Sequence, residues 1–116
     1  SKKKKKQTEE AYYDEQFDEP LIVASFAKQY GIRLLTEDIS VREYRKLLAG
    51  IMHDTPLGYV ISVRSEKDPK KIREMTNAEK DIRRKWQRFR AAKAESVQYT
   101  MTLEQFQQLF KNLAGG

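Results

Sequence analysis

Arg83, Arg84, Lys85, Arg88, Arg90 and Lys93 crowd one short stretch of the chain, with Trp86 and Phe89 among them. Cations interleaved with aromatics suit two chemistries. Lys and Arg neutralise phosphates while an indole or phenyl ring stacks on a base, as in nucleic-acid binding. Alternatively the cations meet an acidic protein face. The plainer reading is a solvated charged face, with Ile82, Trp86 and Phe89 at i, i+4 and i+7 as the core side of an amphipathic helix. Further on, Leu103, Phe106, Leu109, Phe110 and Leu113 form a second apolar set. They either close the domain's own core or dock on a partner or another copy as a helix in a groove. The candidate partner-binding residues from the two stretches are Arg83, Arg84, Trp86, Arg88, Phe106 and Phe110.

Nothing in the chain points to bond-making chemistry. The single histidine, His53, sits in a polar turn beside Asp54 and has no nucleophile or second base to work with. There is no cysteine, so neither a disulfide nor a thiolate metal site is available. The paired acids, Asp18/Glu19 and Glu37/Asp38, read as helix-start carboxylates favoured by the positive end of the dipole. The five glycines read as helix stops and turn residues, and no glycine-rich phosphate cradle is present. The expectation is a non-enzymatic protein with no catalytic residues, cofactor or metal. No apolar run approaches the ~18 residues of a membrane span, and no apolar segment follows the N-terminal lysines, so no membrane association and a cytoplasmic location are expected.

The elements that must position these residues follow from composition and spacing. Hydrophobic residues make up 39 % of the 116 and charged residues 34 %, so each helix must bury one face only. Net charge is +6 and uneven: residues 11–30 carry four acids against one Lys, and residues 64–93 carry twelve Lys/Arg against five Asp/Glu. The expected fold is all-α, a small bundle of four to five amphipathic helices with a disordered basic N-terminal tail. Residues 1–13 are the Lys-rich tail, 14–95 the helical domain, and 96–116 a linker followed by a C-terminal amphipathic helix.

The first helix starts at Asp18-Glu19-Pro20, carries Ile22, Phe26 and Tyr30 at i, i+4 and i+8, and stops at Gly31. Ser40 and Glu43 form a capping box for a second, which ends at Gly50. Thr55-Pro56 starts a third over Leu57–Val63, although Val60-Ile61-Ser62-Val63 would also suit a strand. A short piece covers Lys70–Met75. Thr76 and Glu79 cap a long helix to about Ala94, and Thr102 with Gln105 caps the last one after a linker at Ser96–Met101.

Several segments together resemble a known family. They are Ala24-Ser25-Phe26-Ala27-Lys28-Gln29-Tyr30-Gly31-Ile32-Arg33-Leu34, Glu43-Tyr44-Arg45-Lys46-Leu47-Leu48-Ala49-Gly50, Asp54-Thr55-Pro56-Leu57-Gly58 and Arg64-Ser65. Their order and spacing over residues 17–90 are similar to the C-terminal half of the phage gene-product-fifteen family and its relatives in prophage tail clusters. A lysine-rich lead replaces the N-terminal half of the longer members, which leaves open whether the chain is separate or part of a frameshifted product. The resemblance implies a tail-assembly chaperone that coats the tape-measure protein, helps recruit tail-tube subunits, acts in the cytoplasm of the bacterial host and is absent from the mature virion. Self-association is a further expectation. The rivals are a nucleic-acid-binding module using the basic helix 77–94, and a structural tail component.

Overall fold

A computed structural model describes the backbone of residues 11–115 and the side chains of that span apart from 97–102, 114 and 115. Among the described residues there are five α-helices and no strand: α1 (Glu19–Tyr30), α2 (Val41–Ala49), α3 (Pro56–Ser65), α4 (Pro69–Arg73) and α5 (Asn77–Gly115). They fall into two units, one through Met75 and one from Thr76. The all-α expectation holds. The boundary expected near residue 95 does not, because the long basic helix forms a unit of its own.

The first unit is built around α1, whose 3.6-residue periodicity puts Ile22, Phe26 and Tyr30 on one face. Ile22 and Phe26 are fully buried with Leu48 of α2 and Leu57 of α3. Phe26 meets Tyr30 edge-on and stacks on Tyr44, both at 5.5 Å between ring centres. Burying Phe26 completely contributes about 1.5–3 kcal/mol. α1 packs against α3 and, over a smaller area, against α2. The Val60–Val63 run is helical, as the Thr55-Pro56 start signal predicts: the Thr55 hydroxyl accepts from the Gly58 N–H at 3.0 Å and Pro56 opens the first turn.

Other end signals also behave as read. Gly31 takes the left-handed conformation at φ +69°, and its N–H closes on the Ala27 carbonyl. The Ser40 hydroxyl accepts from the Glu43 N–H at 3.0 Å. At the start of α5, the Thr76 hydroxyl accepts from the Glu79 N–H at 3.1 Å, while Glu79 accepts from the Thr76 N–H at 3.0 Å.

Two expectations are corrected. The tail was expected to reach residue 13, but Tyr13 packs against the core. Tyr12 accepts hydrogen bonds from Arg64 through its carbonyl and from Lys67 through its hydroxyl. Two adjacent aromatics with partners to cover are enough to order this stretch. Lys2–Lys6 lie outside the described residues. The linker at Ser96–Met101 is absent, since α5 runs unbroken through it. No Gly or Pro interrupts residues 77–114, and the Thr102/Gln105 pattern is a capping signature inside a helix that has no need to start there.

Candidate functional site

The first unit spends its polar side chains on joining its own helices. The C-terminal half of α1 serves the ends of α2 and α3, where helices leave backbone groups without intrahelical partners. Ser25, fully buried, accepts from the Leu57 N–H at 2.8 Å in the first turn of α3. Gln29 uses both ends of its amide: Nε2 donates to the Gly50 carbonyl at 2.9 Å, and Oε1 accepts from the Met52 N–H at 2.8 Å. The Tyr30 hydroxyl donates to the Leu47 carbonyl at 2.7 Å, and Lys28 Nζ donates to the Asp54 carbonyl at 2.6 Å. Gly58 lies inside α3, as the expected helix over Leu57–Val63 places it, and a Cβ there would collide with the Met52 carbonyl and come within 2.6 Å of His53 Cα. The recognisable segments around Gln29-Tyr30-Gly31 and Thr55-Pro56-Leu57-Gly58 are therefore fittings of the fold. His53 is exposed in the turn they hold.

Asp18 and Arg64 form a charged joint that sequence reasoning missed. Asp18 stands at the cap position of α1 but makes no side-chain cap bond. Its carboxylate instead takes two hydrogen bonds from the Arg64 guanidinium, at 2.8 and 2.9 Å, with both side chains at least nine-tenths buried. Asp18 Oδ2 also accepts from the Asp14 N–H at 3.0 Å, and the guanidinium lies over the Phe17 ring at 5.8 Å. A planar fork on a carboxylate is the geometry in which a buried pair is best satisfied. The signal was present: Leu57, Val60 and Arg64 are spaced i, i+3, i+7, which puts Arg64 on the buried face of α3.

Beside this joint, a cleft of about 320 Å³ has an apolar floor including Ile22, Val23, Leu34 and Ile39, with Glu15, Glu19, Glu37 and Asp38 at its rim. Tyr44 also lines it; burial and a hydrogen bond to Glu15 push its phenol up to about 12. No three His, Cys, Asp or Glu side chains among the described residues come together to hold a metal ion. Likewise, no described helix is long and apolar enough to cross a membrane.

The six residues expected to contact a partner all lie on α5 but form two groups. Trp86 is buried and stacks on Phe89 at 5.5 Å, so its ring has no free face for a base. Arg83 is half-buried, while Arg84 and Arg88 are exposed. Arg84 pairs with Asp81 at 3.3 Å and Lys85 pairs with the same carboxylate at 3.1 Å; the Lys85 hydrogen bond leads the influences that hold Asp81 below the usual carboxylate range. From Arg88 to Phe106 the helix rises about 27 Å, too far for one contact site.

Phe106 and Phe110 are 61 % and 65 % exposed and stack at 6.0 Å between ring centres. Leu103, Leu109 and Leu113 extend the same stripe at 43 %, 57 % and 73 % exposure. These side chains form a contiguous exposed apolar run, unlike the single surface hydrophobics common on soluble proteins.

The family described as Bacteriophage Gp15 protein matches residues 1–91. The match takes in the whole first unit and the cationic half of α5, while the exposed stripe lies beyond it. Among curated proteins and among solved structures nothing matches.

Proposed function

This chain belongs to the bacteriophage Gp15 protein family, and on that premise we propose that it serves phage morphogenesis as a non-catalytic tail-assembly chaperone or scaffold. It acts by covering apolar helical surface on a tape-measure protein and by helping tail-tube subunits to gather there. The stripe Leu103, Phe106, Leu109, Phe110, Leu113 is the observation that carries this reading. A long helical rod with exposed apolar surface aggregates unless something apolar lies against it. An amphipathic helix laid on that rod offers matching side chains at i, i+3 and i+7. The exposed cations of α5 and its amide-rich flanks keep the covered rod in solution. The chaperone works in the host cytoplasm and leaves before the virion matures.

Co-expression tests it. With this chain present the tape-measure protein accumulates in the soluble fraction; with Phe106→Ser/Phe110→Ser it returns to the pellet. An equal soluble yield with and without the chain overturns the chaperone reading. Mass spectrometry of purified particles separates chaperone from tail component: the chain is absent in the first case and present in stoichiometric amount in the second.

A nucleic-acid role rests on the exposed Arg84 and Arg88 beside Lys85. It requires an affinity that falls steeply with salt. Absence of binding to duplex or single strand at low salt removes it.

A further inference from the structure

We infer that, before it meets any other protein, the apolar stripe of α5 is covered by the same stripe of a second copy, in an antiparallel two-fold pair centred near Gln108. The inference rests on the reading of the stripe as a docking surface and specifies its first occupant.

The order of the large side chains supports this. Leu103, Phe106, Phe110 and Leu113 follow one another at intervals of three, four and three, the seam spacing of paired helices. The series is the same read in either direction, Leu-Phe-Phe-Leu. A two-fold interface uses one patch on both partners and must be complementary to itself. Antiparallel overlap meets that demand by placing Leu103 against Leu113 and Phe106 against Phe110, twice over. All four are exposed, and the two rings already stack along the helix. Leu109 breaks the mirror: it borders one edge of the seam, and across the pair it lies beside Gln107, so it is only half covered.

Charge selects the direction. Beside the four-residue seam the nearest polar side chain is the uncharged Gln107; Gln105 and Lys111 flank the seam at equal angles on its two sides, and Glu104 and Asn112 lie further round at 100° per residue. Nothing at the seam opposes a second copy. The upstream part of the same helix is different: residues 77–93 carry seven Lys/Arg against two Asp/Glu. A parallel pair would lay these cationic stretches side by side, where like charges within a Debye length repel. Overlap centred near Gln108 sends them in opposite directions.

The size of the contact explains why the pair is temporary. With about 150–250 Å² available on each aromatic side chain, the exposed parts of the two stripes amount to roughly 1,000 Å². Stable complexes bury about 1,200–2,000 Å². Self-pairing hides the stripe at high concentration and yields to a longer apolar helix.

The chain has no cysteine, so introduced ones report cleanly. Sedimentation equilibrium of the full chain should show a concentration-dependent monomer–dimer transition, and Phe106→Ser/Phe110→Ser should remain monomeric throughout with an unchanged circular dichroism spectrum. Leu103→Cys and Leu113→Cys variants, mixed and oxidised, should form the mixed 103–113 disulfide. Residues 103 of the two copies would be about 15 Å apart, ten residues of helix rise, and should not join. A wild-type chain monomeric at every concentration, a dimer that survives the double substitution, or a predominant 103–103 disulfide overturns the inference. A monomeric chain that still keeps the tape-measure protein soluble defeats this inference alone. A dimer with no effect on that protein defeats the chaperone reading alone.

Discussion

The unit ending at Met75 and the last three turns of α5 handle the same problem, large apolar side chains in water, in opposite ways. In the first, Ile22, Phe26, Leu48 and Leu57 are sealed, and Ser25, Gln29, Tyr30, Asp18 and Arg64 satisfy the backbone and charge that the sealing encloses. In the second, five comparable side chains are left open, and Gln108 and Asn112 beside them hydrogen-bond along the helix itself. Burial of a core demands polar accounting, since an unmatched buried donor or charge costs more than a matched one contributes. An exposed stripe has no such demand and stays available for a partner. The polar residues that look most like a signature are thus the ones that fold the protein, and the residues that look like an ordinary helix face are the ones left exposed.

This contrast is easiest to break at Asp18. Asp18→Ala leaves the Arg64 guanidinium buried without its carboxylate, a loss of about 3–5 kcal/mol. Against a typical domain stability of about 5–15 kcal/mol, that brings the first unit close to unfolding. Thermal denaturation followed by circular dichroism measures it. Phe106→Ser/Phe110→Ser, at exposed positions, should change stability by less than about 0.5 kcal/mol. If the two variants melt alike, the division into a closed and an open region is wrong. Gly58→Ala comes next, at about 1–3 kcal/mol, because the added methyl meets backbone of Met52 and His53 that cannot rotate away. Gln29→Ala removes both partners of the turn between α2 and α3. It should cost about 1–3 kcal/mol, with faster amide exchange at Met52 as the local sign.

The fold was largely legible because its ends are written in local code. Ser40/Glu43, Thr55-Pro56, Thr76/Glu79 and Gly31 each act within four residues, and each is found working. Reading failed where the deciding partner is distant in sequence. Asp18 looked like a helix-start acid because its neighbours are Glu19 and Pro20; its real partner is 46 residues away. Gly58 fell within the expected helix Leu57–Val63, but the carbonyl that demands a glycine there belongs to the preceding loop. The Ser96–Met101 linker failed in the opposite sense: a local cap pattern was present but nothing required the helix to stop. Of the candidate contact residues, Phe106 and Phe110 share one helix face as their spacing predicts, but that spacing left open whether the face is buried or exposed. For Trp86 too, the same spacing serves a buried ring and an offered one.

The smallest effect tests why the closed region resists its surroundings. Tyr44 stacks on Phe26, and its phenol is pushed from 10.0 to about 12, by burial first and then by its hydrogen bond to the Glu15 carboxylate, with Arg45 acting weakly the other way. A proton held more tightly in the folded chain than in the unfolded one stabilises the fold fully below pH 10. That contribution is lost as pH rises through about 12. Tyr44 should therefore ionise late in an ultraviolet titration, and Tyr44→Phe should delete that step. Salt distinguishes the two regions again. Asp81 on α5 is only partly buried and is held down by its hydrogen bond to Lys85 and the nearby Arg84, so ~1 M salt should move it back toward the usual carboxylate range. Burial is not screened, and the late tyrosine should keep most of its displacement in the same salt. A Tyr44 step that moves to pH 10 with salt would mean that its environment is as open as that of α5.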